Sequence, residues 1–214
     1  MELFNLPASS AVNRVIPKNS FDAQASKAQT ALFARQVLRI LWMYKLAAST
    51  INLDGETIHE IQVMRIDLKL RTYIHTLLDL IDRSIPYAII FQVQYGEECY
   101  LSAAAKRPHP AHPDVSVIDS AFRTDWFRPA PGLYPLDLRI SLDAVYLDFC
   151  RKLVSTPAPA HIGLEQLATR ERELARLRRE IEQLKRKISY TPEFSRRVEL
   201  NIELKKREEE FKRL

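Results

Sequence analysis

Glycine is scarce in this sequence, with four in 214 residues. The chain contains no GxxxxGK[ST] phosphate loop, no GxGxxG dinucleotide pattern and no GxSxG turn around a nucleophilic serine. Each of these motifs uses glycine where the backbone turns sharply or approaches a phosphate closely. The sequence therefore gives no sign of ATP hydrolysis, NAD use or serine-hydrolase chemistry, and we expect no cofactor.

Cysteine is scarcer still, because Cys99 and Cys150 are the only two. They form no CxxC spacing, so we expect two small reduced core residues and neither a disulfide nor a zinc site. His109 and His112 lie three residues apart, but prolines at 108, 110 and 113 exclude the helix that would turn both imidazoles toward one metal. We interpret that stretch as a surface loop.

Long apolar runs are also missing. None approaches the roughly 18 to 20 residues that a membrane span requires, and the start, MELFNLPASS, lacks the basic-then-apolar order of a secretory signal. Hydrophobic residues nevertheless make up 46% of the chain, which is enough to bury one core. We expect a folded cytoplasmic protein that does not enter a membrane.

The positive charge is unevenly distributed. The net charge is +5, and residues 165–214 carry 15 Lys and Arg against 11 Asp and Glu. Almost all of the basic excess therefore lies on the last quarter of the chain, where a polyanion such as nucleic acid would be attracted first.

The sequence changes character at residues 155–163, a stretch rich in proline and alanine that is typical of a short stiff linker. Before it, the pattern predicts an α+β globular domain over 1–154, with a mixed sheet built from hairpins and packed helices. The predicted elements are a helix over 21–48, a β-hairpin around Asp54-Gly55, a helix over 71–84, two strands turning near Gly96, a strand at 136–140 and a helix over 142–154.

After the linker, residues 164–214 show heptad spacing. Leu167, Leu174, Leu177, Ile181, Leu184 and Ile188 follow steps of seven, three and four, with only the Arg170 position failing. Thr191 and Pro192 then favour the start of a second helix. Because only a short turn separates two helices of similar length, we predict a C-terminal antiparallel coiled-coil helical hairpin.

The stretch TINLDGETIHEIQVMRIDLK, residues 50–69, contains the residue types of a magnesium-dependent nuclease. The candidate catalytic set is Glu60, Asp67 and Lys69. Strand alternation places Glu60 on one face and the other two residues on the opposite face. The three could meet only if a bulge at Val63 and Met64 reversed the alternation, so a strand with solvated polar positions is the alternative interpretation.

Two other segments have the composition of nucleic-acid contacts. Residues 122–128, FRTDWFR, interleave aromatic and basic residues as a base-stacking surface would, or else they fill the core from a loop. On the hairpin, basic residues concentrate near the turn, where they could contact nucleic acid or a partner protein or form a solvated face. These candidate contacts are Arg178, Arg179, Lys185, Arg186, Lys187, Arg196 and Arg197.

Several segments together resemble a bacterial family defined only as a domain of unknown function, Domain of Unknown Function 4391. The resemblance covers essentially the whole chain and rests on the segments LPASSAVNRVIPKNSF, WMYKLAASTINL, EIQVMRIDLK, IPYAIIFQV and EFSRRVELNIELKKREEEFKRL. Members are encoded beside restriction-methylation and helicase genes of the phage-defence type. The resemblance therefore implies that this protein is encoded beside genes of the same kind, and it assigns no catalytic residue.

The leading hypothesis is therefore a non-catalytic accessory subunit of a bacterial DNA-modification or phage-defence system. It would bind a protein partner, such as a helicase or methyltransferase subunit, and nucleic acid through the basic hairpin. One alternative is a divergent Mg²⁺-dependent nuclease that uses Glu60, Asp67 and Lys69. Another is a structural module whose hairpin joins copies of the protein into a homo-oligomer.

Overall fold

The structure is a computed structural model that describes residues 3–154 and 156–214, except for the side chains of residues 112–114. It divides into two compact units, residues 1–164 and 165–214. Among the described residues, no helix combines the length and the apolar character needed to span a membrane.

The first unit is an α+β domain built on one six-stranded mixed sheet. Its strands are adjacent in space in the order in which they occur along the chain. They are β1 (Ala11–Ile16), β2 (Val37–Ala47), β3 (Glu60–Leu68), β4 (Ala88–Tyr95), β5 (Glu98–His109) and β6 (His112–Arg123). Neighbouring strands are antiparallel except β3 and β4, which are parallel. A parallel pair needs a crossover connection, and the helix α3 (His75–Ser84) supplies it.

The remaining α-helices of this unit are α1 (Lys27–Gln36), the single turn α2 (Ala48–Ile51) and α4 (Leu142–Leu153), and two short 3-10 helices cover Ala8–Ser10 and Lys18–Phe21. A buried cluster joins α1 and α3 to one face of the sheet, with Phe33 and Leu77 packed near Met64 and Phe91. Sheet residues that alternate with this set, such as Ile90, are equally buried, and α4 packs over them. The central strands are therefore covered on both faces.

Tyr146 of α4 forms hydrogen bonds with the backbones of two neighbouring strands, β4 and β5. Its hydroxyl lies 3.1 Å from the carbonyl oxygen of Ile89 and 2.9 Å from that of Ala104, and it accepts from the amide of Ala104 at 3.1 Å. Burial raises the pKa of this phenol well above its ordinary value. The hydroxyl thus satisfies backbone groups at the point where the pairing of β4 with β5 ends at Ile90 and Ala103.

The predicted helix over 21–48 is wrong for most of its length. The helix α1 begins after Ser26, whose side chain and Gln29 form a capping box, and it ends at Gln36. Residues 37–47 form the strand β2. The apolar spacing of Val37, Ile40 and Tyr44 suits a helix, but in the structure it arises from a strand whose pairing with β3 shifts register between Val37 and Arg39 and between Trp42 and Tyr44, so its buried residues do not alternate strictly.

The β-hairpin predicted at Asp54-Gly55 is also wrong, because a connection of twelve residues that includes α2 links β2 to β3. The carboxylate of Asp143 orders this connection. It accepts hydrogen bonds from the backbone amides of Glu56, Thr57 and Ile58 at 2.6, 3.2 and 3.0 Å. The carboxylate also lies so close to the backbone of residue 55 that a Cβ there would collide with it, so this position requires glycine.

The other elements of the first unit are partly as predicted. The helices over 71–84 and 142–154 correspond to α3 and α4, and β4 and β5 turn at Gly96, which has a φ of +56°. The strand predicted at 136–140 is absent from the described residues. The loop predicted at 108–113 is mostly strand, since β5 and β6 are separated only by Pro110 and Ala111.

The second unit is the predicted antiparallel helical hairpin. It consists of α5 (Leu164–Tyr190) and α6 (Phe194–Arg213), so the second helix begins two residues later than Thr191 and Pro192 suggested. Pairs of residues from opposite ends of the two helices meet, including Glu180 with Arg207 and Arg178 with the ring of Phe211. Five seam residues of α5 are buried, namely Leu167, Leu174, Leu177, Ile181 and Leu184.

Candidate functional site

The charged residues of β3 lie at two different ends of the strand. Glu60 opens β3 and Asp67 is its penultimate residue, so about 23 Å separate them at 3.3 Å per residue. Glu60 forms an ion pair with Lys45 of β2 at 2.7 Å, and the amide of Gln62 donates to its other oxygen. Glu60 is thus engaged locally, far from Asp67.

The register shows why the strand does not bring these residues together. The pairing of β3 with β4 is continuous from Ile61 to Asp67. An irregularity does occur beside Val63 and Met64, but the extra residue is Met43 on β2. The alternation along β3 is therefore unbroken, and Glu60 and Asp67 keep the opposite faces that their separation predicts.

Asp67 is held by two arginines. Arg39 of β2, which lies directly opposite, donates from Nε and Nη2 to one carboxylate oxygen at 3.0 and 2.6 Å. Arg65 of β3 donates from Nε to the other oxygen at 2.7 Å. The neighbouring strand thus places a guanidinium beside Asp67, where a two-carboxylate metal site would need a second acid.

Lys69 follows the end of β3 and is bound elsewhere. Its Nζ donates to the carbonyl oxygen of Ala34 at 2.7 Å, and its amide donates to that of Gln36 at 2.8 Å. These carbonyls belong to the last turn of α1, which a cation stabilises. Lys69 therefore contacts the end of a helix in this structure.

Metal-ligand clusters are not found in the part of the chain that the structure describes, because no three His, Cys, Asp or Glu side chains are close enough to share an ion. His109 ends β5, and the side chain of His112 lies outside the described residues. Burial raises the pKa of the Cys99 thiol to about 12 and that of Cys150 well above its usual value. Both thiols are thus kept protonated.

The aromatic residues of the segment 122–128 contribute to the core. Phe122 is buried, and Trp126 packs edge-on against the buried Tyr100 with 4.9 Å between ring centroids. Arg123 forms an ion pair with Asp79 of α3 at 2.6 Å. Of the two interpretations of this segment, the packing favours the filling of the core.

The candidate basic residues of the hairpin fall into two groups. In the first group the cation has a neighbour in the same unit. Arg178 lies over Phe211, Arg179 donates to the carbonyl of Ala175, Lys185 faces Glu208 at 3.7 Å, and Arg196 pairs with Glu199.

The second group consists of Arg186, Lys187 and Arg197, which flank the turn between α5 and α6. All three are exposed, and none has an acidic partner among the described residues. Two large aromatic side chains accompany them, since Tyr190 is 85% exposed and Phe194 is 74% exposed. We call these five residues the hairpin tip. It combines unpaired positive charge with exposed rings, which is the composition of a surface that binds nucleic acid.

The sequence-based interpretation missed two polar arrangements. One is the pair of arginines, Arg39 and Arg65, that donate hydrogen bonds to the carboxylate of Asp67. The other is a buried ion pair between Lys106 of β5 and Asp82 of α3 at 3.2 Å. Arg39 and Asp67, like Asp82 and Lys106, are distant in the chain, so no local motif indicates these two contacts. Arg65 and Asp67 are two residues apart on β3, and this spacing was the only local signal.

Comparisons with known proteins give one result. No curated protein and no solved structure matches the chain. A family model matches residues 4–211, which is nearly the whole chain. The chain therefore belongs to the family described as Domain of unknown function (DUF4391).

Proposed function

We propose that this protein is a non-catalytic accessory subunit of a bacterial DNA-modification or phage-defence system, and that its hairpin tip contacts nucleic acid. The observation that carries the proposal is the grouping of three exposed cations, which have no acidic partner in the described part of the chain, beside two exposed aromatic rings. Cations neutralise phosphates and release counterions, while rings stack on bases of any sequence. The interaction would be tolerant of sequence and sensitive to salt.

The architecture of the hairpin supports this role. Its helices pack through a buried apolar seam and through ion pairs such as Arg207 with Glu180 at 3.2 Å. The tip is thus held on paired helices and not on a flexible loop. An element of this kind positions a contact surface for a complex whose chemistry resides in another subunit, such as a helicase or methyltransferase.

The nuclease alternative has weaker support. It needs Glu60, Asp67 and Lys69 to address one ion, whereas Glu60 is paired with Lys45 at the other end of β3. The oligomerisation alternative would place a second copy against the hairpin, and it predicts that removal of residues 164–214 lowers the oligomeric mass without affecting nucleic-acid binding.

The test is binding of the full-length protein to labelled duplex DNA, single-stranded DNA and RNA over a salt series, with and without Mg²⁺. The proposal predicts binding that weakens steeply with salt and leaves every nucleic acid intact. Cleavage products that require Mg²⁺ and disappear in Glu60→Ala and Asp67→Ala would instead establish the nuclease. Absence of binding at low salt would overturn the nucleic-acid part of the proposal.

A further inference from the structure

A second charged surface lies on the sheet, at the carboxyl ends of the two parallel strands. Arg65 of β3 is directly opposite Gln92 of β4, and Asp67 is directly opposite both Gln94 of β4 and Arg39 of β2. Side chains directly opposite each other in a sheet lie on the same face, and so do positions two apart on one strand. These five residues therefore form one surface, which we call the sheet patch.

The charges of the sheet patch do not balance. Asp67 is the only carboxylate among the described residues that pairs with Arg39 or Arg65. Its side chain is 9% exposed, while those of Arg39 and Arg65 are 50% and 31% exposed. One buried negative charge thus holds two guanidinium groups that reach solvent, and the patch keeps one positive charge in excess.

The two arginines also keep hydrogen-bond donors for a ligand. Arg65 uses only Nε in its bond to Asp67, and Arg39 uses Nε and Nη2. Both terminal nitrogens of Arg65 and Nη1 of Arg39 make no bond to a carboxylate of the described residues. A guanidinium presents donors in a planar fork that matches the oxygens of a phosphate.

We infer that the sheet patch binds a phosphate group through Arg39 and Arg65. Asp67 fixes both side chains before the ligand arrives, which reduces the entropy lost on binding. The same chemistry would suit a free phosphate and a phosphate of a nucleic-acid backbone.

This inference goes beyond the proposed role of the hairpin tip, because the patch belongs to the other unit of the protein. The two surfaces share no residue. A protein without a functional tip would retain the patch, and a protein without the patch would retain the tip.

The test observes the arginine Nε–H signals of the ¹⁵N-labelled full-length protein by NMR. The protein is titrated first with inorganic phosphate and then with a short single-stranded oligonucleotide. The Nε–H signals assigned to Arg39 and Arg65 should shift in both titrations if the patch accepts either source. A shift with the oligonucleotide alone would identify the nucleic-acid backbone as the ligand.

A second experiment tests the same inference with the variants Arg39→Gln and Arg65→Gln. Each leaves Asp67 one guanidinium partner, so the fold should persist, which a thermal unfolding curve checks. Each should weaken phosphate or oligonucleotide binding at the patch at least tenfold. The matched control is Arg71→Gln, which removes the same charge from an arginine paired one-to-one with Glu98 at 2.7 Å and should leave binding within twofold of wild type.

The result that would overturn the inference is a wild-type protein whose Arg39 and Arg65 signals move with neither ligand, or folded variants that bind as the control does. A variant that loses the three cations of the hairpin tip, Arg186, Lys187 and Arg197, separates the two proposals. The shifts of Arg39 and Arg65 should persist in it even if its overall affinity for the oligonucleotide falls.

Discussion

Arg39 on β2 lies directly opposite Asp67 on β3 and donates two hydrogen bonds to one oxygen of its carboxylate, at 3.0 and 2.6 Å. Arg65 occupies the other oxygen. A metal ion could use Asp67 only by displacing two guanidinium groups. Asp67 is therefore best understood as the residue that orients Arg39 and Arg65, and this assignment has a consequence for stability.

Removal of Asp67 should destabilise the protein. In Asp67→Ala, the two guanidinium groups lose their shared partner and repel each other, and we expect a loss of about 1–3 kcal/mol in the free energy of unfolding. Urea denaturation measures the loss. The control is Asp137→Ala, because Asp137 is partly exposed and pairs with a single exposed arginine, Arg139. The control should change stability far less than Asp67→Ala does, because exposed ion pairs contribute little, and equal effects in both variants would contradict the assignment.

Gly55 should not tolerate a side chain. A Cβ at this position would lie 2.3 Å from Oδ2 of Asp143 and 2.5 Å from the carbonyl oxygen of Ile58. We expect Gly55→Ala to lower the free energy of unfolding by about 1–3 kcal/mol, because the hydrogen bonds that the amides of residues 56–58 donate to the Asp143 carboxylate must shift. Thermal or urea denaturation checks this.

Gly163→Ala is the control for Gly55→Ala. A Cβ at position 163 meets no heavy atom within 4 Å. Gly163 directly precedes α5, where alanine caps a helix less well than glycine, so Gly163→Ala should lose some stability but clearly less than Gly55→Ala. If Gly55→Ala were as stable as Gly163→Ala, the close contact between residue 55 and Asp143 would be refuted.

The buried pair of Asp82 and Lys106 predicts a pH dependence of stability. Burial raises the pKa of Asp82 to about 6, with Lys106 opposing the shift. Because the folded pKa lies above the unfolded one, the stability that Asp82 contributes is fully present below about pH 4 and is lost as the pH rises through 6.

Comparison with Asp82→Asn isolates this effect, since asparagine cannot ionise. The stability of the wild type relative to Asp82→Asn should fall by roughly 2–3 kcal/mol between pH 4 and pH 8. Urea denaturation of both proteins at several pH values measures the difference. Parallel pH profiles for the two proteins would show that Asp82 does not titrate with a raised pKa.

The sequence predicted the hairpin better than the sheet. Heptad spacing is local, so Leu174, Leu177 and Ile181 suffice to define the buried seam of α5. The strand β2 misled the prediction because its pairing with β3 shifts register between Val37 and Arg39 and between Trp42 and Tyr44, which breaks the alternation that marks a half-buried strand. The strand β6 was missed because prolines at 108, 110 and 113 suggested a longer loop than the two-residue turn.

The candidate sites were also predicted only in part, because the sequence shows residue types but not which side chains meet. The cations around the turn could be identified from composition, but their pairing could not. Only the folded helices show that Lys185 and Arg196 face carboxylates, while Arg186, Lys187 and Arg197 face none belonging to residues that the structure describes. The contact of Arg39 with Asp67 spans 28 positions, and it depends on the strand register, which the sequence pattern does not specify.

The salt dependence of binding in two charge-matched variants measures whether the hairpin tip contacts nucleic acid. The tip variant carries Arg186→Gln, Lys187→Gln and Arg197→Gln. The control variant carries Arg176→Gln, Lys185→Gln and Arg196→Gln, which remove three cations that face carboxylates in the same hairpin. Fluorescence anisotropy with a labelled single strand gives the affinity at each salt concentration.

If the hairpin tip contacts nucleic acid, the tip variant should bind at least tenfold more weakly than the control, and its slope of log affinity against log salt should be smaller by about 2 because its phosphate contacts are lost. The control variant should keep a slope close to that of the wild type. A tip variant that binds with the wild-type affinity and slope would contradict the claim.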